Sequence, residues 1–205
     1  MEKIDPHGDV ILRLQIGGTD TPANLLVSSK VLSLASPVFA TLLGPKFLEG
    51  NYIRRGDSPI IELHDDDPAA IALVCNILHY RYDSVPTQPE AEQLGQIAIL
   101  CDKYDCSKPL QPWSEKWLNS SRGAQFSDLG HLLLAAYKLD DPVHFADFSA
   151  QLIKGVVPKH ETWDLFPELD LLPDRFKGFP LPERAFKIRF ANSFRRRDSA
   201  SRSYL

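Results

Sequence analysis

The segment DVILRLQIGG, residues 9–18, sets Val10, Leu12, Leu14 and Ile16 on one face and Asp9, Arg13 and Gln15 on the other. A period of two over that length specifies a half-buried strand and is incompatible with a helix. Gly17-Gly18 with Thr19-Asp20-Thr21 reads as a turn, and residues 23–27 as a second strand, so a β-hairpin is expected. A hairpin with one apolar face needs a further layer to cover it.

That layer begins in VSSKVLSLASPVFATLL, residues 27–43, where the rhythm becomes helical. Ser28 or Ser29 is placed to cap a short helix over 30–34, and Ser36-Pro37 puts a capping hydroxyl before a first-turn proline. Val31, Leu32, Leu34, Val38, Phe39, Leu42 and Leu43 are expected on the buried side of this helix pair. After a polar loop, PIIEL (59–63) is a third short strand, and Asp67-Pro68 opens a helix with Ile71, Val74 and Leu78 beside Ala70 and Ile77. Pro86 and Pro89 end that stretch. The next helix carries Leu94, Ile97, Ala98, Cys101 and Tyr104 on one side.

Beyond Cys106 the chain turns to helix and loop. FSDLGHLLLAAYKL and DPVHFADFSAQLI, separated by Asp140-Asp141-Pro142, are expected to form a helical hairpin. Pro158, Pro167, Pro173, Pro180 and Pro182 then interrupt the pattern, leaving a short helix near 183–194. The expected organisation is an α+β unit over 8–107, a helical extension over 108–157, a proline-rich segment over 158–194 and a basic tail over 195–205.

Hydrophobic residues at 43% and charged residues at 24% match a folded soluble chain rather than a disordered one. A net charge of −4 gives no overall field for nucleic acid or an anionic membrane, so neither partner is expected. No run of about 18 apolar residues could span a bilayer, and no signal-peptide pattern opens the sequence. With three cysteines, Cys75, Cys101 and Cys106, lacking CxxC spacing, reduced thiols and a cytosolic or nuclear location are expected.

Motifs for chemistry are thin. The opening serines lack a GxSxG elbow, so a hydrolase is the remotest of the readings carried forward. The histidines at 7, 64, 79, 131, 144 and 160 form no HxxxH pair. Asp65, Asp66 and Asp67 lack the glycine and closing glutamate of a calcium loop, which leaves helix capping and dipole compensation as their role. Gly17-Gly18 has no phosphate-loop sequel. No catalytic residue, metal or cofactor is expected.

Taken in order, DVILRLQIGG, SSKVLSLASPVFATLL, IIELHDDDPAAIALVCNILHY and LGQIAILCDKYDC resemble the successive elements of a BTB/POZ domain. The helical remainder, LLLAAYKLDDPVHFADFS above all, is similar to the extension that follows this domain in many filamentous-fungal members. The resemblance implies a non-enzymatic module for protein–protein interaction. Two departures stand out: Ser29 occupies a position where the family commonly has histidine, and only eight residues precede Asp9. The second leaves little room for the extra N-terminal elements of domain-swapped BTB dimers, although a homodimer stays open.

Phe47-Leu48-Glu49, in GPKFLEGNY, resembles the apolar-x-Glu motif by which adaptor BTB domains contact a cullin scaffold of ubiquitin ligases. An apolar anchor beside a carboxylate is a common division of labour at interfaces. The other reading packs Phe47 on its own domain. The resemblance therefore implies a ubiquitin-ligase adaptor, with a scaffold for transcription or chromatin regulators, acting without direct DNA contact, as the alternative. Trp113 and Trp117, four apart, share a helical face as core or as anchor. Arg196, Arg197 and Ser199 fit the RRxS pattern of basophilic kinases, where a phosphate beside an arginine cluster would fold the tail back or block a contact. Nuclear import or binding of an acidic partner, and a merely solvated tail, are the other readings there.

Overall fold

A computed structural model describes residues 1–15, 23–155 and 166–173. The chain is of the α+β class and divides into two compact units. The first comprises residues 1–89 and 99–114; the described part of the second comprises 90–98, 115–155 and 166–173.

The first unit holds a four-stranded sheet in the order β1-β3-β2-β4, with β1 at Glu2–Lys3, β2 at Val10–Leu14, β3 at Ala23–Val27 and β4 at Ile60–Leu63. The expected hairpin is present: β2 and β3 are antiparallel, with Val10 opposite Val27 and Leu14 opposite Ala23. Ile16 and the glycine turn lie outside the described residues. Strand β4 joins β2 in parallel, Leu14 opposite Leu63. One face buries Val10, Leu12, Leu14, Leu25, Val27, Ile61 and Leu63. The opposite face carries Arg13, which bonds Asn24 at 3.2 Å and Glu62 at 2.9 Å across its two neighbours. Strand β1, not anticipated from sequence, pairs in parallel with β3 and is held by Arg81, which donates to the Lys3 carbonyl at 2.7 Å.

Helices α1 (Ser29–Ala35) and α2 (Pro37–Leu42) follow the hairpin as expected. Ser36 caps α2 by accepting from the Phe39 N–H at 3.0 Å. The start of α1 is a correction: Ser28 makes no side-chain cap. Instead, Asp9 accepts from both the N–H and the hydroxyl of Ser29, each at 2.7 Å. A carboxylate on a helix N-terminus serves the orphan N–H and the dipole together. The expected buried face is also narrower, since Leu32 and Phe39 are buried but Leu34 is 89% exposed and Val38 is exposed. Helices of seven and six residues bury one short stripe each.

Helix α3 (Leu48–Arg55) replaces the expected polar loop. Helix α4 (Pro68–Leu78) starts as expected, with Asp67 accepting from the Ala70 N–H at 2.7 Å, and its apolar stripe is buried. Asp66 does something else. Its buried carboxylate accepts from the Tyr104 hydroxyl at 2.5 Å and from the Lys103 ammonium at 2.7 Å. Both donors stand at the C-terminal end of α5 (Ala91–Lys103), the expected helix. Tyr104 also stacks on Phe39, centroids 4.6 Å apart, and its carbonyl accepts from Ser36 at 2.5 Å. Burial, then the bond to Asp66, raises the Tyr104 phenol above its ordinary value, which keeps it a donor.

The helix α6 (Ser107–Ser120) carries Trp113 and Trp117. In the second unit, α7 (Leu129–Lys138) and α8 (Pro142–Gly155) form the expected hairpin. Asp141 caps α8, accepting from the His144 N–H at 3.0 Å. A 3-10 turn at Pro167–Leu171, inside the segment expected to be broken by prolines, lies against α7. Gly130 permits this approach, because a Cβ there would overlap the Glu168 carboxylate. The short helix expected near 183–194 lies outside the described residues.

Two variants test the first unit. Tyr104→Phe keeps the stack on Phe39 but leaves the buried Asp66 carboxylate one donor short, so urea denaturation should show a loss of about 1–3 kcal/mol. The second concerns His79, whose Nδ1–H donates to the Cys75 carbonyl at 2.8 Å while Nε2 accepts from the Ser28 N–H at 3.0 Å. Protonation would turn that acceptor into a donor. Burial first, and Arg81 to a lesser degree, lower its pKa, against the opposing pull of the Cys75 carbonyl and Asp5. A lowered folded value means the unfolded chain binds the proton first, so this contribution is intact above about pH 6.5 and is lost as pH falls. The wild type should lose more stability than His79→Gln between neutral and mildly acid pH, as read from thermal melts.

Candidate functional site

The segment 43–56 is shaped by an unusual contact. Gly50 is buried in α3, and a Cβ on it would overlap the carbonyl oxygens of Leu43 and Gly44 at the end of α2. Only a residue without a side chain lets the two backbones approach this closely. The approach to the helix is tied down as well. Gly44 accepts from the Phe47 N–H at 3.3 Å, and the Phe47 carbonyl accepts from the Asn51 side chain at 2.9 Å. Arg54 donates to the side-chain Oδ1 of Asn51 and to the backbone carbonyl of Pro45.

The charges suit the helix: Glu49 sits in the first turn, and Arg54 and Arg55 in the last. Gly56 closes it in the left-handed region at φ 87°, its N–H reaching Ile53 O at 3.0 Å. Phe47 occupies the N-cap with no side-chain hydrogen bond, forgoing about 1 kcal/mol that a serine or aspartate would supply there. Phe47 is 42% exposed and Leu48 71%, while Glu49 is half-buried. The structure thus brings the three sequence-predicted residues together at one helix start. Tyr52, 46% exposed one turn later, is a surface residue that sequence reading missed, since that reading made the segment a loop.

Elsewhere the serines of the opening helices are occupied structurally. Ser29 is engaged by Asp9, and Ser36 by Tyr104 and Phe39; neither hydroxyl bonds a histidine. Cys75, Cys101 and Cys106 are free and buried. Burial, with Cys106 and Glu2 adding to it, pushes the Cys75 thiol up to about 12, and hydrogen bonding to Cys106 followed by burial raises Cys101. Protonated buried thiols are poor nucleophiles. The Asp141 carboxylate accepts from His144 Nδ1 at 2.6 Å and so fixes the ring, whose buried Nε2 has no hydrogen-bond partner among the described residues. Among those residues no three His, Cys, Asp or Glu side chains are grouped to hold a metal ion, and no helix is long and apolar enough to cross a membrane.

Of the tryptophans, Trp117 is fully buried, and half-buried Trp113 lies 5.3 Å from the exposed Tyr82 ring. Arg196, Arg197 and Ser199 lie outside the described residues. No protein-family model matches this chain, and no curated protein matches it.

Replacing Gly50 with alanine separates two effects of known size. In an open helix the change would stabilise by roughly 0.5–1 kcal/mol. Here the added methyl meets backbone, and overpacking of this kind costs typically ~1–3 kcal/mol. Gly50→Ala should therefore lower the unfolding free energy, and proteolysis should accelerate within 44–56.

Proposed function

We propose that this chain is a non-enzymatic protein-interaction module of the BTB/POZ type, acting as a substrate adaptor for a cullin-based ubiquitin ligase. The order of elements supports the reading: a hairpin, a helix pair, a short helix, a strand parallel to the first hairpin strand, and two longer helices. The observation that carries it is the solvent presentation of Phe47 and Leu48 at the start of a helix whose opposite side is seated on backbone through Gly50. Large apolar side chains held rigidly at a surface lose little conformational entropy when a partner covers them. Glu49, at the same helix start, supplies the carboxylate of the motif.

A binding assay with the N-terminal domain of a cullin tests this. The wild-type chain should retain the cullin domain. The double variant Phe47→Ala, Glu49→Ala should lose it while keeping its thermal melt, and retention by that folded variant would overturn the adaptor reading.

A further inference from the structure

Helix α3 turns 100° per residue, so Leu48, Tyr52 and Arg55 fall within one narrow stripe. Gly50 falls on the opposite side. All three stripe residues are exposed, and Arg55 and Lys46 have no ion pair or hydrogen bond among the described residues. The stripe is therefore two apolar side chains one turn apart, followed by a free guanidinium.

Its charge runs against that of the chain. Residues 45–56 carry Lys46, Arg54 and Arg55 against the one carboxylate of Glu49, in a protein of net charge −4. Asp57 follows only after the left-handed Gly56.

We propose that the Leu48–Tyr52–Arg55 stripe docks an acidic amphipathic helix of a partner protein, with apolar residues three or four apart to cover Leu48 and Tyr52 and a carboxylate to meet Arg55. The inference rests on the interaction reading above, and gives that reading's surface a partner chemistry without requiring the partner to be a cullin. Apolar contact supplies the affinity, and the cations supply selection and orientation. A protein partner fits better than a polyanion, because the two cations Lys46 and Arg55, beside two large apolar groups, neutralise few phosphates, Arg54 being held by Asn51 and Pro45.

The test is a phage-displayed library of helical peptides selected on the full chain, with the Leu48→Ala, Tyr52→Ala double variant as counter-selection. Recovered peptides should combine an apolar i, i+4 row with an excess of Asp and Glu. As labelled peptides in fluorescence anisotropy, they should weaken about tenfold or more on Arg55→Glu, and a Lys-for-Glu version should regain affinity for that variant. These are surface residues, so unchanged thermal melts are expected for every variant.

The proposal is overturned if no peptide distinguishes wild type from the double variant, or if the discriminating peptides are not acidic. It also falls if Arg55→Glu costs less than that factor, or if single-stranded DNA binds the stripe more tightly than any selected peptide. Loss of cullin binding on Phe47→Ala, Glu49→Ala without any acidic-peptide selection would instead leave the adaptor reading intact and sink only the partner chemistry.

Discussion

A buried carboxylate costs several kcal/mol unless charged or hydroxyl donors meet it, and Asp66 meets that condition only when α5 ends where it does. Its two oxygens receive Tyr104 and Lys103, consecutive residues at that helix end. The same tyrosine stacks on Phe39 of α2, and its carbonyl takes the hydroxyl proton of Ser36, the cap of that helix. Three segments far apart in sequence are thereby fixed in one register. Moving any of them would strand a buried polar group.

The consequence travels to the surface through α2. Ser36 and Phe39 position α2, the last carbonyls of α2 are the surface on which Gly50 rests, and Gly50 orients α3. Leu48 and Tyr52 thus owe their exposure to a glycine on the far side of their helix. A larger residue at position 50 would press against the Leu43 and Gly44 carbonyls and force α3 away from them.

This arrangement explains what could be read from sequence. The strands β2 to β4 and helices α5 and α8 bury side chains at regular intervals, and α4 and α7 bury nearly every position of long apolar runs, so hydropathy patterning revealed them. Helix α3 buries a glycine, which leaves no apolar stripe on its packed side, and its large residues face water. Hydropathy patterning reads such a segment as loop. Strand β1 has two residues and exists through its pairing with β3 and the Arg81 clamp, neither of which is local. The Asp65-Asp66-Asp67 run looked uniform, yet Asp67 caps α4 while Asp66 turns to α5. Only the partner 37 and 38 residues away separates the two roles. Ser29 was legible as a helix start, but the oxygen serving it comes from Asp9, 20 residues earlier.

The second unit uses the same device. Gly130 makes room on α7 for Glu168 and Phe166, and Gly155 at the end of α8 makes room for the Phe126 ring, itself edge-on to Phe166 at 5.4 Å. In each case the information lies in a missing side chain and in the distant group that fills its place, a pairing that no local window contains. The helical glycines at 50, 130 and 155 therefore mark contacts rather than weak points. The surface opposite such a glycine is where a rigid, exposed side chain can be carried without being drawn into the core, and on α3 that surface holds Leu48 and Tyr52.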